Sequence, residues 1–326
     1  LSAAATMPES VIVGATPAPP VGPGPGLLKS VHQQSDLTTT AHFGRPGTPS
    51  GNSFYPAYDV EAHMVYVPTA GGETYLFDVP TFKAVGHFKS ILGGRVAHVD
   101  NRRGLVLILS ANELAAYSTK GDHSHLFTLP VGGNAITISS DGNAAFIGGN
   151  MDSELTEVRL PQGRIAHKFP IKRSGDLVWA GGQVFSADMK TGIMSALNPA
   201  TGRIARIATP ERDAKFNYRK IPAASAGFMQ LATSADGRKV YAAGFSGHIL
   251  AFSAPKDTYL GEVPVAANQG GPNKLSGLAV LDNGNEAIAT VENLHETVVV
   301  RLSDGKVMRR LPGMESNRWV LAKLQK

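Results

Sequence analysis

The chain has 326 residues, of which 42% are hydrophobic and 17% charged, with no cysteine and a formal net charge of +5. That balance suits a folded core, and the missing thiols exclude disulfides, thiolate metal centres and c-type haem attachment. The basic residues are scattered instead of forming a nucleic-acid-binding stripe, and no apolar run is long enough for a membrane-spanning helix.

In chain order, Ala3-Ala4-Ala5 has the small-residue character of the end of an export signal, so a periplasmic or secreted protein is expected. Two apolar segments follow, ESVIVGA (9–15) and GLLKSVHQ (26–33), joined by PAPPVGPGPG, which reads as a stiff polyproline-like connector. Residues 35–54 (SDLTTTAHFGRPGTPSGN and its flanks) read as a long loop. From residue 53 a sentence begins to repeat. An apolar run, a tight turn and a second apolar run recur around Ala62-His63, Arg103-Gly104, Asp141-Gly142, Gly181-Gly182, Asp236-Gly237 and Asn283-Gly284. Asp141-Gly142, Asp236-Gly237 and Asn283-Gly284 signal two-residue hairpins with φ > 0 at both central positions, and the other three are looser equivalents.

Each unit continues with a third and a fourth strand, as in HILAFSA and TYLGEVP of the fifth. Four short strands per roughly 40 residues mark a β-propeller blade. The steps to the fifth and sixth turns are longer because of inserts at 209–226 (TPERDAKFNYRKIPAASA) and 266–275 (AANQGGPNKL). SNRWVLAKLQK (316–326) reads as one more innermost strand without a partner. The expectation is one all-β domain over 1–326. It is a seven-bladed propeller with four-stranded blades. Residues 1–52 hold the amino-terminal strands, connector and loop, 53–313 hold six repeat blades, and 314–326 closes the last blade with the amino-terminal strands. Such a closure removes open sheet edges. Six blades with an amino-terminal tail is the alternative.

The repeats resemble the YVTN family of bacterial propellers, within the wider quinoprotein amine dehydrogenase-like group. The matching pieces are S-x-D-G at 139–142 and 234–237, VYVPTAG, VYAAG and Thr201–Arg203. The resemblance spans about residues 53–313 and implies a seven-bladed fold, usually exported, found in binding modules, electron-transfer subunits and a few enzymes. Only Trp179 and Trp319 occur, whereas propellers that house pyrroloquinoline quinone carry a Trp in each blade.

Aligning the innermost strands places Pro56, Ala97, Ile136, Leu177, Leu231, Leu278 and Trp319 in the packing. The other face carries Tyr55, Val96, Ala135, Asp176, Gln230, Gly277 and Arg318, preceded by Arg95, Asn134, Met229, Ser276 and Asn317. Tyr55, Arg95, His98, Asn134, Asp176, Gln230 and Arg318 are therefore the candidate lining of a polar channel mouth, suited to a small polar or anionic ligand. An Asp176–Arg318 ion pair in a water-filled channel is the structural alternative. The insert at 209–226 adds Arg212, Phe216, Tyr218 and Arg219, a mixture of cations and aromatics favoured at partner surfaces. Among the histidines, His98, His248 and His295 are the weak metal candidates. A divalent metal would need three or four converging ligands, and no other cofactor is legible.

No G-x-S-x-G or H-E-x-x-H motif is present. These observations favour a binding or docking module over an enzyme. It would present the loops 35–54, 209–226 and 266–275 at one channel mouth to a protein partner or small ligand. A metal-dependent lyase or lactonase at that mouth is one alternative, and a cofactor-free subunit of a periplasmic electron-transfer complex is another.

Overall fold

The computed structural model describes residues 10–16, 26–33, 38–44, 55–79, 81–149, 151–212, 227–268 and 273–323. The fold is an all-β propeller of four-stranded antiparallel blades. Seven four-stranded sheets form among the described residues. Six are contiguous in sequence and are called blades one to six: 57–89, 96–129, 135–169, 174–208, 228–264 and 275–312. Within each, strands a to d run in chain order from the channel to the rim.

The remaining sheet is composite. Its inner strand is Trp319–Lys323, and its outer three are Ser10–Thr16, Gly26–His32 and Thr38–Phe43. Gly14 pairs with Trp319 and Ser10 with Lys323, so the two ends of the chain are hydrogen-bonded along a whole strand. The outer strand Thr38–Phe43 corrects the reading of 35–54 as loop throughout. Three consecutive threonines are good strand formers, and Val31 to Gly26 offer them a free edge. The connector Pro17–Pro25 lies outside the described residues.

The core is divided into seven apolar clusters, one at each junction between neighbouring sheets. Leu28 and Phe43 of the composite sheet pack with Val65 and Phe77 of blade one. On its other side, Val31 and Trp319 pack with Ile288 and Val299 of blade six. The composite sheet thus buries both faces, as each contiguous blade does. Lys29, 4% exposed, adds a latch by donating from Nζ to the carbonyls of Gly313 and Glu315 at 3.3 and 2.9 Å.

The repeated S-x-D-G has a physical role that differs from a two-residue turn. Gly142 donates to the Ser139 carbonyl at 2.9 Å, and Ser139 N–H pairs with Ala144 at 2.9 Å, which leaves four residues in the loop. Only the glycine has positive φ, 73° at Gly142 and 67° at Gly237. The aspartate instead accepts from the serine hydroxyl and from the backbone N–H two residues on, at 2.6 and 2.9 Å for Asp141. Asp236 repeats both bonds at 2.6 and 3.0 Å. These bonds hold both aspartates below the usual carboxylate range. The true two-residue turn is Gly181-Gly182, where both glycines are left-handed, with φ of 59° and 77°, and Ala180 pairs with Gln183.

Gly277 shows how tightly the ring closes. A Cβ there would lie 2.2 Å from the Ser316 carbonyl oxygen and 2.7 Å from the Trp319 indole. Gly277→Ala is expected to cost about 3 kcal/mol by overpacking. Gly86→Ala, whose nearest new neighbour is 3.9 Å away, should stay within about 0.5 kcal/mol. Urea unfolding of the two variants checks this, and equal midpoints would show that the junction yields easily.

Candidate functional site

The start of strand a in each blade lies at the end of the channel that also carries the d–a and b–c connections. There the structure brings Tyr55, Arg95, Asn134, Asp176, Gln230 and Arg318 together, with Asp176 1% and Arg318 2% exposed. Their side chains join blades that are far apart in sequence. Tyr55 Oη, just before blade one, donates across the channel to Asp176 Oδ2 of blade four at 2.6 Å. The same oxygen accepts the Leu231 N–H of blade five at 2.8 Å. Arg318, just before the composite sheet's inner strand, reaches across to the Gly175 carbonyl at 2.8 Å. Its guanidinium lies 5.3 Å from the centre of the Tyr55 ring.

Gln230 is a three-way bridge. Its Oε1 accepts from Leu278 and Trp319 N–H at 2.7 and 2.8 Å, and its Nε2 donates to the Trp319 carbonyl at 2.8 Å. Asn134 donates to Gly175 O at 3.2 Å, and Arg95 donates twice to Gly133 O at 3.0 and 2.8 Å. These residues form a belt that plugs one end of the channel. Asp176 and Arg318 make no direct ion pair among the described residues, since Tyr55 stands between them. Burial pushes the Asp176 carboxyl up, against the opposing pull of Arg318, Tyr55 and the Leu231 N–H. Burial and the adjacent carboxylate push the Tyr55 phenol far up, so it stays a donor.

Beyond the belt lies a cavity of about 550 Å³ lined by strand a of all seven sheets. Gln230 and Tyr55 stand at its plugged end, and its walls are largely aliphatic. Thr137, Thr233, Tyr58 and His98 supply the polar points. Tyr58, Ile138, Trp179, Thr233 and Leu321, at the opposite end, are only half-buried, so the cavity opens on the face of the a–b turns. Trp179 is fixed there by stacking on Phe146, with centroids 5.9 Å apart. His98 faces this cavity, and burial pushes its imidazole down to about 4, against a smaller opposing effect of Asp100.

No family model matches the chain, and no curated protein matches it by sequence. Among solved structures, the hydrazine synthase of Kuenenia stuttgartiensis is similar in fold, with a TM-score of 0.65 at 10% identity. The match covers 84% of this chain and 90% of that one. At that identity the likeness shows the propeller fold alone.

The three histidine candidates are held apart. His98 is in the channel, His295 pairs with Glu315 on the exposed rim at 3.3 Å, and His248 sits at the start of strand c in blade five. Only His248 belongs to a group of converging metal donors among the described residues, with Glu211 and Glu262. Glu211 sits in a short 3-10 turn, Pro210–Arg212, at the start of the first insert. Phe216, Tyr218 and Arg219 lie outside the described residues, as does the Arg212 side chain. Sequence reading passed over Glu262, since TYLGEVP reads as an ordinary outer strand. It also passed over Ser246, which belongs to the F-S-G-H turn that opens strand c.

Proposed function

We propose that the chain is a binding propeller that takes a small, mostly apolar ligand with one or two hydrogen-bonding groups into its central channel. The observation that carries this reading is the plugged cavity of about 550 Å³, within the range of small-molecule sites, apolar in its walls and polar at a few points. The belt is its floor, and the half-buried ring around Trp179 is its entrance. We infer that the composite sheet serves as the seventh blade, which the S-x-D-G turns and the terminal pairing support, in keeping with a YVTN-like ring. A neutral His98 and the two threonines offer a ligand a donor or acceptor without placing a charge in the apolar wall.

Docking of a protein partner at the opposite face is the second reading. It is favoured by the position of both inserts, 209–226 and 266–275, at the d–a end of blades four to six.

Trp179 gives a direct test of the channel. A fluorescent apolar anion such as anilinonaphthalene sulfonate should bind one to one and quench Trp179. Thr233→Trp, which fills the entrance, should weaken binding at least tenfold. Equal binding by the filled variant would show that the probe sits elsewhere and would sink the channel reading.

A further inference from the structure

Glu211, His248 and Glu262 lie at the junction of blades four and five, on the rim and away from the channel. Each offers one donor atom, and these atoms lie within 4.8 Å of one another. We propose that they bind one divalent transition-metal ion, with zinc the best fit to two carboxylates and one imidazole.

The local fold builds the group. His248 opens strand c and pairs with Pro264, and Leu250 pairs with Glu262 on strand d. His248 and Glu262 are thus diagonal neighbours across two strands. Glu211 is delivered to them from blade four by the 3-10 turn and is 1% exposed. Its carboxylate rests where Gly244 has no side chain, since a Cβ there would come 2.2 Å from Glu211 Oε1.

Ser246 ties two of the three donors together. Its N–H donates to Glu211 Oε2 at 3.0 Å, and its hydroxyl bonds both Glu211 Oε1 and His248 Nδ1, the latter at 2.9 Å. An ionised carboxylate can only accept, so the serine proton points to Glu211. The serine oxygen then accepts from Nδ1–H of His248. That fixes the neutral imidazole in the tautomer whose Nε2 lone pair is free, the usual state of a zinc-bound histidine held by a neighbour.

Charge also favours a cation. Two carboxylates and a neutral imidazole balance a dication. Tetrahedral bonds of about 2.1 Å need donors about 3.4 Å apart, and a rotamer change at the partly exposed Glu262 supplies that closure. Water would complete the coordination.

The test is equilibrium dialysis of the chelator-stripped protein against zinc chloride, read by elemental analysis. One zinc per chain is expected. His248→Ala and Glu262→Gln should weaken uptake at least tenfold. Ser246→Ala should weaken it about 10- to 100-fold, as a residue that orients the ligands. His295→Ala, a rim histidine outside the group, should bind as the parent does. Zinc should also raise the melting temperature of the parent but not of His248→Ala. No stoichiometric uptake, or equal uptake by His248→Ala, overturns the site. Preference for calcium over zinc overturns the imidazole's part in it. Because the channel is separate, Thr233→Trp should leave zinc uptake unchanged.

Discussion

Asp176→Ala is expected to destabilise the propeller by about 3–5 kcal/mol, the cost of breaking a buried charge network by removing one member. The substitution takes the acceptor from Tyr55 Oη and from Leu231 N–H at once. It also leaves the Arg318 guanidinium, 2% exposed, without a counter-charge. For a chain of this size the loss corresponds to a fall of about 5–8 °C in melting temperature. Asp176→Asn should cost less, because an amide oxygen can still accept the Leu231 N–H. The triple change Tyr55→Phe, Asp176→Leu, Arg318→Met should recover most of the loss, since apolar side chains of similar volume often replace a buried network at little cost. Strong non-additivity between the single and triple variants is therefore the signature of a plug that acts as one unit. A single variant within about 0.5 kcal/mol of the parent would show that the belt does not hold the blades together.

The blade pattern was legible because it is local. Alternation, turn residues and the spacing of about 40 residues all act within one blade, and they placed Leu177, Leu231, Leu278 and Trp319 in the inter-blade clusters where they lie. The same alignment gathered Tyr55, Asp176, Gln230 and Arg318 at one end of the channel. It could not show that they cross it. Tyr55 and Asp176 are 121 positions apart, and Arg318 and the Gly175 carbonyl are 143 apart. Which side chains meet across a ring depends on its radius and on the length of each side chain, and neither is a periodic signal. An open polar mouth was expected, and long side chains that span the lumen close it instead.

Two misses have different causes. Thr38–Phe43 was hidden by its setting, because a threonine-rich strand lies between turn-forming residues and the glycine- and proline-rich stretch that follows. Its β-branched run was the available signal. The Glu211–His248–Glu262 group was hidden by topology. One member comes from the end of blade four, and the other two are diagonal across strands c and d of blade five. No spacing rule joins them.

His98 should make the protein sensitive to mild acid. Its imidazole is pushed down from the ordinary 6.5 to about 4 by burial, with Asp100 opposing. Between those values the unfolded chain binds a proton that the native state refuses. The stabilising effect is therefore complete above pH 6.5 and is lost as pH falls toward 4. A shift of that size is worth about 3 kcal/mol, and the open side of the channel reduces it to about 2 kcal/mol. Carboxylates elsewhere titrate in the same range, so the readout is the difference between two proteins. Urea unfolding of the parent and of His98→Gln at pH 7, 5.5 and 4.5 should show the parent losing about 2 kcal/mol relative to the variant as pH falls, since glutamine carries no proton-linked cost. Tyr58 shares the cavity wall but holds its proton throughout this range, with burial and Asp59 raising its phenol. Parallel curves would mean that His98 is solvated as freely as in the unfolded chain. The channel would then be wet to its floor, and a neutral imidazole would no longer belong to its chemistry.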